Sequence, residues 1–472
     1  MAFVDSVSSF LWDYILLFSL VGIGIYMTVL LKFPQFTRVF PAIIRLIADI
    51  KEGKDVKDGR MSSFQSLATA VAAQVGTGNI VGVATAIAAG GPGAAFWMIL
   101  SAFFGMSTIF AEAVLAQIYR HETDSGELVG GPAYYIRDGL NNKVLARIFA
   151  VLAVIVLGLV GIMVQSNSVV ASLNQSFGIP SPWATAALLA IVGIILTGGM
   201  DRIATFSEKV VPVMAATYVL ASLLIVVMNI NSLLPALQLI MVSAFSPKAV
   251  GGGVLGITLQ QTIRFGVARG MFSNEAGLGS TPHSHAVAHT DHPAEQGFIA
   301  MIGVFISTFM ICTSTVLVNI LSGGYDGTVS AAEMALEATV MTQNSFVIGF
   351  GNLGGAFLSI SLSSFALTTI VGWYFFAESN VKLLFHDKKF FVVAFKIISL
   401  SFLVIGPFVQ PDNLWKINDL FTGLLALPNI IALVFLSKQA QWLLKDYDEK
   451  MLTGNLHWPK ISELPKVRSK KA

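Results

Sequence analysis

Residues 74–82 read Gln-Val-Gly-Thr-Gly-Asn-Ile-Val-Gly and lie inside a long apolar stretch that begins near Met61. Two glycines, a threonine and two amide side chains are poor material for a helix that faces lipid. In hydrocarbon an unsatisfied backbone polar group is costly, so an irregular backbone survives only inside protein or beside a cavity. We therefore predict an interrupted helix near Gly76 and Gly78 that lines a site. A close contact between small residues of two membrane helices is the alternative.

The composition predicts an all-α polytopic membrane protein. The chain has 472 residues, of which 55% are hydrophobic and 12% charged, and its mean hydropathy is +0.74. A soluble protein carries about 25% charged residues. Apolar runs long enough to span a bilayer recur along the chain. The single cysteine, Cys312, excludes an intrachain disulfide.

The apolar runs predict eleven spanning helices and two amphipathic surface helices. The surface helices are expected at 38–50 and 329–342, which are too polar to span, and residues from 439 onward are expected to be only partly ordered. The predicted spans are 11–32, 62–90, 93–119, 146–177, 183–199, 208–230, 253–280, 297–321, 346–378, 390–408 and 414–437.

Basic residues predict the orientation of the chain. An odd number of spans places the two termini on opposite sides of the membrane. Nearly all lysines and arginines of the connecting segments, and those of the tail 438–472, fall on one side, whereas Lys248 and Lys416 fall on the other. Since cytoplasmic loops are rich in basic residues, the N-terminus is expected outside and the tail inside.

A second interruption is predicted in residues 264–280, Arg-Phe-Gly-Val-Ala-Arg-Gly-Met-Phe-Ser-Asn-Glu-Ala-Gly-Leu-Gly-Ser. Here Arg269 and Glu275 stand among glycines inside an expected span. Intramembrane charges are rare and indicate function by default, although hydration or structural pairing at the membrane surface is the alternative. Gly277 and Gly279 again suit a backbone that borders a cavity.

The spacing of the two interruptions predicts the architecture. If the helix at 11–32 is set aside, ten helices remain, and the interruptions fall in the first and the sixth. Discontinuous helices at corresponding positions of two halves are typical of transporters with inverted repeats and a site at the membrane midplane. The two repeats would cover about 62–230 and about 253–437.

A break at the first interruption would offer groups for both an anion and a cation. Free N–H groups near Gly78 and Asn79, at the start of the second half-helix, would attract a carboxylate. Free carbonyls near Ala72 and Val75, at the end of the first half, would suit a cation.

The stretch 359–373, Ser-Ile-Ser-Leu-Ser-Ser-Phe-Ala-Leu-Thr-Thr-Ile-Val-Gly-Trp, is rich in hydroxyls and could complete a sodium site. Hydroxyls that bond their own helix carbonyls are the alternative. Trp373 could close a small pocket or be an interfacial tryptophan. Two hydroxyl pairs compete for the sodium site, Thr368 with Thr369 and Ser363 with Ser364.

Three blocks resemble one family. Residues 90–105, Gly-Gly-Pro-Gly-Ala-Ala-Phe-Trp-Met-Ile-Leu-Ser-Ala-Phe-Phe-Gly, are similar to the signature of the sodium:alanine symporters, also called the alanine or glycine:cation symporter family. Residues 70–94 and 266–282 resemble its two most typical blocks. Ala95 and Ile99 depart from the signature, outside the proposed pocket. The resemblance covers nearly the whole chain and implies a leucine-transporter-type fold.

The resemblance also implies roles for individual residues. The backbone of Gly76, Thr77 and Gly78 would meet the carboxylate of an amino acid, with Gln74 and Asn79 beside it. The carbonyls of the second break would receive the ammonium. The further residues implied are Phe272, Ser273, Gly277 and Gly279 at the second break, and Ala72, Val75, Thr368 and Thr369 as sodium ligands.

The sequence therefore predicts a sodium-coupled symporter of alanine or glycine, not an enzyme, in a prokaryotic plasma membrane. Sodium is the expected coupling ion and no cofactor is expected. The expected partners are the amino acid and the lipid bilayer rather than nucleic acid, and the protein is expected to be a monomer. A proton-coupled carrier, with Glu112 or Glu275 as the titrating group, is the alternative. The histidines of 283–292 are interpreted as a polar surface loop rather than a metal site.

Overall fold

The protein is described here by a computed structural model. The structure describes residues 2–52, 60–123, 126–245, 258–325, 331–453 and 456–467, with side chains except at residue 2 and at 331–339. The start of the predicted helix 253–280, the first two residues of the predicted helix 329–342 and the end of the tail lie outside the described residues.

The described part of the chain is almost entirely helical. The strands β1 (His121–Glu122) and β2 (Leu128–Val129) form one antiparallel hairpin. In chain order the helices are α1 (Ala2–Phe10, Leu11–Leu16 and Leu17–Leu30, continuous), α2 (Pro34–Thr37), α3 (Val39–Glu52), α4 (Ser63–Gln74), α5 (Val81–Gly90), α6 (Ala94–Ile118), α7 (Pro132–Gly139), α8 (Lys143–Ile155, Val156–Val160 and Gly161–Phe177, continuous), α9 (Ser181–Thr197), α10 (Gly199–Met228), α11 (Ile230–Phe245), α12 (Leu259–Asn274), α13 (Pro282–Ala286), α14 (Pro293–Val304, Phe305–Cys312 and Thr313–Leu321, continuous), α15 (Ala331–Phe350), α16 (Asn352–Phe385), α17 (Lys389–Ile405, ending in the turn Gly406–Phe408) and α18 (Pro411–Thr453).

The prediction of a polytopic helical membrane protein is confirmed. Among the described residues, eight helices are long and apolar enough to cross a bilayer, and the bent pair α4–α5 makes a ninth. Helix α9 is apolar but has 17 residues, and the predicted span 253–280 ends as a helix at Asn274. A helix lies at each predicted position, whereas the count of eleven membrane crossings stays a prediction.

The first helix begins earlier than predicted because its first acidic residue is paired. Asp5 forms an ion pair with Lys416 of α18, at 3.3 Å. Asp13 forms one with Arg264 of α12, at 2.8 Å. Asp13 lies within the predicted span 11–32, so the earlier start concerns Asp5, whose ion pair is compatible with a helix from Ala2 onward. The partner of Asp5 lies on a distant segment, so the sequence pattern alone places the start too late.

The last helix extends beyond the predicted end, and the prediction of a loosely ordered tail is wrong for residues 439–453. Helix α18 continues to Thr453. Leu443 and Tyr447 of this extension are buried, and Gln439 accepts a hydrogen bond from Tyr119, at 2.9 Å. The extension is stabilised by packing on the rest of the protein, which a local count of polar residues does not reveal.

Two further boundaries differ from the predictions. The predicted span 346–378 is divided at Gly351, whose positive φ of 66° ends α15 and allows α16 to start at Asn352. Helix α11 (Ile230–Phe245) was not predicted, although it is apolar over 16 residues. The amphipathic helix predicted at 38–50 is present as α3.

The core is built around α6. This helix is buried along its second half and packs against α14, α12 and α1. The short helices α4 and α5 pack against α10, α16 and α12. The two predicted interruptions therefore lie inside the helix bundle, between α6, α8, α14 and α16.

Candidate functional site

The first predicted interruption is present and is sharp. Helix α4 ends at Gln74, and Gly76 is extended, with φ −131° and ψ −152°. A single 3-10 turn, Thr77–Asn79, then leads into α5, which is tilted by 62° relative to α4. A Cβ atom at Gly76 would lie 2.5 Å from the hydroxyl of Thr369. Glycine is therefore required here because another helix approaches the backbone closely.

The second interruption lies between α12 and α13. Glu275 ends α12 in the left-handed conformation, with φ 59°. Gly277 and Gly279 follow with φ of 89° and 81°, values that favour glycine. The short helix α13 begins only at Pro282. Both predicted breaks are thus present, at the predicted glycines.

Side chains of the first break bind the second break directly. The amide nitrogen of Gln74 donates to the carbonyl of Asn274, at 2.8 Å. The amide nitrogen of Asn79 donates to the hydroxyls of Ser273 and Ser307, at 2.8 and 3.0 Å. All five residues are buried. The structure therefore brings Gln74, Asn79 and Ser273 together, and the two breaks form one buried polar centre.

The free N–H groups predicted at the start of the second half-helix are only partly available. The Asn79 N–H donates to the carbonyl of Gly76, at 3.2 Å, so the prediction is wrong for Asn79. The Gly76 N–H donates to the side chain of Asn79, at 3.0 Å. The Thr77 N–H donates to the side-chain oxygen of Gln165, at 3.2 Å. The N–H of Gly78 has no side-chain partner among the described residues.

Gln165 is a residue that sequence reasoning missed. It lies on α8, is buried, and reaches the turn of the first break through its side-chain oxygen. The signal was present in the sequence, because Gln165, Ser166 and Asn167 form a polar triplet within an apolar span. Which of the three faces the break depends on the packing of α8.

A hydroxyl of α16 lies among the free carbonyls of α4. The Thr369 hydroxyl oxygen is 2.9 Å from the Ala72 carbonyl oxygen and 3.3 Å from that of Val75. It is also 3.0 Å from the carbonyl oxygen of Phe365. Thr368 bonds the same Phe365 carbonyl, at 2.8 Å. The geometry thus collects several neutral oxygen atoms, which are ligands that a hard cation prefers.

The competing serine pair lies elsewhere. The Ser364 hydroxyl donates to the carbonyl of Ile360 in its own helix, at 2.8 Å. The Ser363 hydroxyl is buried and has no partner among the described residues. Of the two predicted hydroxyl pairs, the structure brings one member of the threonine pair, Thr369, to the carbonyls of Ala72 and Val75. The Thr368 hydroxyl contacts the Phe365 carbonyl and the sulfur of Met214 instead.

One ring of an aromatic cluster, that of Phe272, lies against Gly78. A Cβ atom at Gly78 would lie 2.8 Å from the ring of Phe272. The Phe272 ring stands edge-on to those of Trp373 and Trp415, with centroid distances of 6.1 and 5.4 Å. Trp373 is buried, so the interpretation as an interfacial tryptophan is wrong. Its indole N–H donates to a carboxylate oxygen of Glu275, at 2.5 Å.

Arg269, one helical turn before Phe272 on α12, forms an ion pair. The guanidinium of Arg269 binds both carboxylate oxygens of Asp419 on α18, at 3.0 and 2.9 Å. It also lies over the ring of Trp415, 5.3 Å from the centroid. Arg269 is thus in a structural ion pair, which was one of the alternatives considered for this intramembrane charge. Asp419 was not predicted as its partner.

Two buried carboxylates flank the second break. Glu112 on α6 accepts a hydrogen bond from the N–H of Gly277, at 3.1 Å, and another from Asn429 on α18. Glu275 accepts from Trp373 and from the hydroxyl of Ser280. These are the two residues that sequence reasoning named as candidates for proton coupling.

Three histidines of 283–292 are buried, so the prediction of a polar surface loop is wrong for His283, His285 and His292. His289 is exposed. His283 lies between the rings of Phe149 and Phe376 and bonds the carbonyl of Ser280, at 2.6 Å. His292 contacts a carboxylate oxygen of Asp446 on α18, at 3.0 Å. Burial lowers the pKa of His292. Among the described residues, no three His, Cys, Asp or Glu side chains come together as metal ligands would.

A helical membrane protein in which two interrupted helices meet around buried oxygen atoms has the make-up of a secondary transporter. This chain belongs to the sodium:alanine symporter family, whose profile matches residues 1–461. It is therefore a multi-pass membrane protein of a family of cation-coupled amino-acid symporters, which are transporters rather than enzymes.

Three relatives illustrate the family. The chain is 39% identical over 443 residues to the sodium/alanine symporter AgcS of Methanococcus maripaludis, which covers 92% of this chain and 94% of the relative. It is 38% identical over 465 residues to the putative sodium/proton-dependent alanine carrier protein YrbD of Bacillus subtilis, covering 96% and 93%. It is 38% identical over 452 residues to the probable sodium/glutamine symporter GlnT of Bacillus subtilis, covering 96% and 91%.

Proposed function

We propose that this protein imports small neutral amino acids, alanine or glycine, together with sodium, by alternating access. In this proposal it has the leucine-transporter-type fold, with α1 as an extra helix and two inverted five-helix repeats over 62–230 and 253–437. It acts as a monomer in a prokaryotic plasma membrane, with the N-terminus outside and the tail inside. The names of two alanine-carrying relatives support the choice of alanine.

One observation carries the proposal of sodium coupling, namely the Thr369 hydroxyl beside the carbonyls of Ala72 and Val75. These oxygens come from two helices, α16 and the interrupted α4. A sodium ion bound among them, with Thr368 and the carbonyl of Phe365, would hold α4 against α16. Sodium binding would thereby favour one arrangement of the break, as coupling requires.

The substrate carboxylate is proposed to bind at the turn of the first break, with the side chain of Gln74 beside it. The start of α5 carries a partial positive charge, and the N–H groups of Thr77 and Gly78 face the same region. In the present structure the Thr77 N–H donates to the side-chain oxygen of Gln165. The ring of Phe272, which lies against Gly78, would have to move as the substrate enters.

The proposed cycle has a barrier at each end of α18. Near its start, Asp419 pairs with Arg269 beside Trp415, whose ring meets that of Phe272 edge-on. About 28 residues later, roughly 40 Å along the helix, Tyr447 accepts a hydrogen bond from Arg45 of α3. There a solvent-open cavity of about 620 Å³ borders Arg45 and the start of α4. In the proposed orientation the outer path is closed and the cavity faces the cytoplasm.

The energetics permit accumulation. One positive charge that moves inward across 100 mV is worth roughly 2.3 kcal/mol, and a tenfold sodium gradient adds roughly 1.4 kcal/mol. Their sum, about 3.7 kcal/mol, supports accumulation of several hundred-fold at one sodium ion per amino acid.

Uptake of labelled L-alanine into proteoliposomes that contain the purified protein tests the proposal. An inward sodium gradient should drive accumulation, whereas a proton gradient in sodium-free buffer should not. Accumulation with protons alone would refute sodium coupling. Absence of accumulation in both conditions, with folded protein, would refute the substrate, and the glutamine named for one relative would be tested next.

Proton coupling is the second candidate, and the burial of Glu112 and Glu275 at the second break favours it. One relative is named as dependent on sodium or protons. A Glu112→Gln variant that loses all uptake but retains sodium-dependent substrate binding would support this candidate. Unchanged uptake by that variant would argue against Glu112 as the proton carrier.

A further inference from the structure

Four carbonyl groups of the second break already have hydrogen-bond donors within the protein. Two of them, the carbonyls of Ser273 and Gly277, are among those expected to receive the substrate ammonium. A carbonyl can accept a second bond, but an ammonium needs acceptors that can turn toward it together. The bonds are Ser307 to Ser273 (3.1 Å), Gln74 to Asn274 (2.8 Å), Leu278 to Glu275 (3.1 Å) and Asn429 to Gly277 (3.0 Å).

The carboxylate of Glu275 has acceptor capacity to spare. It is fully buried and accepts two hydrogen bonds, from Trp373 and from Ser280. An ionised carboxylate offers about four acceptor positions. No lysine, arginine or histidine of the described residues pairs with it. A buried charge without a counter-charge is costly, so a cationic partner that arrives during the cycle would be favoured here.

A small cavity borders this carboxylate. It measures about 10 Å³, close to the space that one water molecule needs. Thr422 of α18 lines the same cavity, and its hydroxyl is buried without a partner among the described residues. A hydroxyl can accept as well as donate, so the Thr422 oxygen has acceptor capacity that no described group uses. Ser280, Phe272 and Trp373 also line the cavity. The remaining walls are aliphatic, formed by Val156, Leu157, Leu278 and Leu425.

Phe272 connects this cavity to the first break. Its ring borders the cavity on one side and contacts Gly78 on the other. Displacement of this one ring would join the cavity to the space at the Gly78 N–H. An amino acid in the joined space could place its carboxylate at Gly78 and its ammonium toward Glu275.

We infer that Glu275 binds the α-ammonium group of the transported amino acid, with the Thr422 hydroxyl as a second acceptor and the apolar walls limiting the substrate side chain. This inference rests on the proposed function and names a ligand within that site. If Glu112 is protonated, the charges balance in the loaded state, because the substrate carboxylate and Glu275 are matched by the ammonium and one sodium ion.

The test uses the full-length protein, with sodium-dependent binding of L-alanine measured by calorimetry. Glu275→Gln should weaken alanine binding by roughly ten- to a hundredfold, because a charge-assisted hydrogen bond is lost. The sodium-dependent thermal shift without substrate should be retained, since Ala72, Val75 and Thr369 are untouched. Glu378→Gln is the matched control, because this carboxylate pairs with Lys382 on α16, away from the cavity.

A second variant keeps the test decisive if Glu275→Gln does not fold. Thr422→Val should weaken alanine binding by about three- to tenfold, and Thr453→Val, near the exposed end of the same helix, should leave it unchanged. The inference is overturned if folded Glu275→Gln binds alanine with wild-type affinity. If only Thr422→Val folds, wild-type affinity in that variant overturns it. Either result leaves the proposed function standing. Unchanged affinity in Glu275→Gln with a lost pH dependence would assign Glu275 to a proton instead. If the wild-type protein binds neither alanine nor glycine, the proposed function fails and the inference fails with it.

Discussion

The hydroxyl oxygen of Thr369 lies 2.9 Å from the carbonyl oxygen of Ala72, which is 297 positions earlier in the chain. In an unbroken helix the N–H of Gly76 would bond this carbonyl. Here that N–H bonds the side chain of Asn79 instead, because the chain turns at Gly76. The break therefore frees a carbonyl, and α16 supplies a hydroxyl to meet it. Three predictions about transport and one about stability follow from such contacts.

Thr369→Ala should raise the sodium concentration for half-maximal alanine uptake by several-fold, roughly tenfold if a full ligand is lost. The reason is that its hydroxyl is the side-chain oxygen nearest to the Ala72 and Val75 carbonyls. Uptake at graded sodium concentrations measures this. Ser364→Ala is the matched control and should show no change, because Ser364 bonds its own helix. A shift in the serine variant alone would move the sodium site toward the serines.

Gly78→Val should weaken the affinity for alanine by more than about a hundredfold. A Cβ atom at this position would lie 2.8 Å from the Phe272 ring, so a branched side chain would displace the ring and fill the space at the N–H. Gly82→Ala is the control, since its Cβ would lie 3.9 Å from the nearest neighbouring atom, on Arg269. Sodium-dependent binding of labelled alanine distinguishes them. Normal affinity in Gly78→Val would exclude the proposed carboxylate site.

Asp419→Asn should open the outer path. The pair with Arg269 is held by two charge-assisted hydrogen bonds, and the amide would lose one of them with its charge. Cys312, the single cysteine, reports on this because its sulfur lies 3.0 Å from the Ser273 hydroxyl at the joined breaks. A membrane-impermeant thiol reagent added outside should label Cys312 about tenfold faster in the variant.

The control for this labelling is Asp412→Asn, which removes an exposed carboxylate of the same helix that pairs with Lys416. Its labelling rate should equal that of the wild-type protein. Saturating sodium and alanine should slow the labelling of Cys312 in the wild-type protein and in Asp412→Asn. Equal rates in Asp419→Asn and the wild type would show that the Arg269–Asp419 pair is not the outer barrier.

Acidification should destabilise the protein in part through His292. Burial lowers the pKa of this residue in the folded state, so below its ordinary value of about 6.5 the unfolded chain binds more protons. Stability is then present at neutral pH and is lost as the pH falls toward the folded-state pKa. The ring nitrogen that accepts from the Ala294 N–H, at 3.1 Å, would be protonated and the helix cap lost.

Thermal unfolding at pH 7.5 and pH 5.0 measures this effect. Loss of a cap costs about 1 kcal/mol, which corresponds to about 1–2 °C in a chain of this length. His292→Asn should reduce the pH dependence by that amount, because asparagine caps helices without titrating in this range. An unchanged pH dependence in that variant would assign the effect to other groups, such as the buried His283 and His285.

The sites of interruption were predictable from the sequence because the membrane makes an irregular backbone costly wherever it occurs. Gly76, Gly78, Gly277 and Gly279 stand in spans that need no glycine, and polar neighbours accompany them. The start of α1 and the length of α18 were not predictable. Asp5, which precedes the predicted start, is compatible with a helix because Lys416 pairs with it, and this partner is distant in sequence.

The sequence by itself thus determined that the chain spans a membrane with helices, where two of these helices break, and which family it belongs to. These properties follow from local hydrophobicity, backbone requirements and motifs. The tertiary structure decided which groups meet. Ser364 and Thr369 are five residues apart, about 140° around one helix, so the face of α16 that packs on α4 selects the threonine. In the same way, the bonds of Gln165 to Thr77, Trp373 to Glu275 and Arg269 to Asp419 exist only because separate helices pack together, and no local pattern encodes that packing.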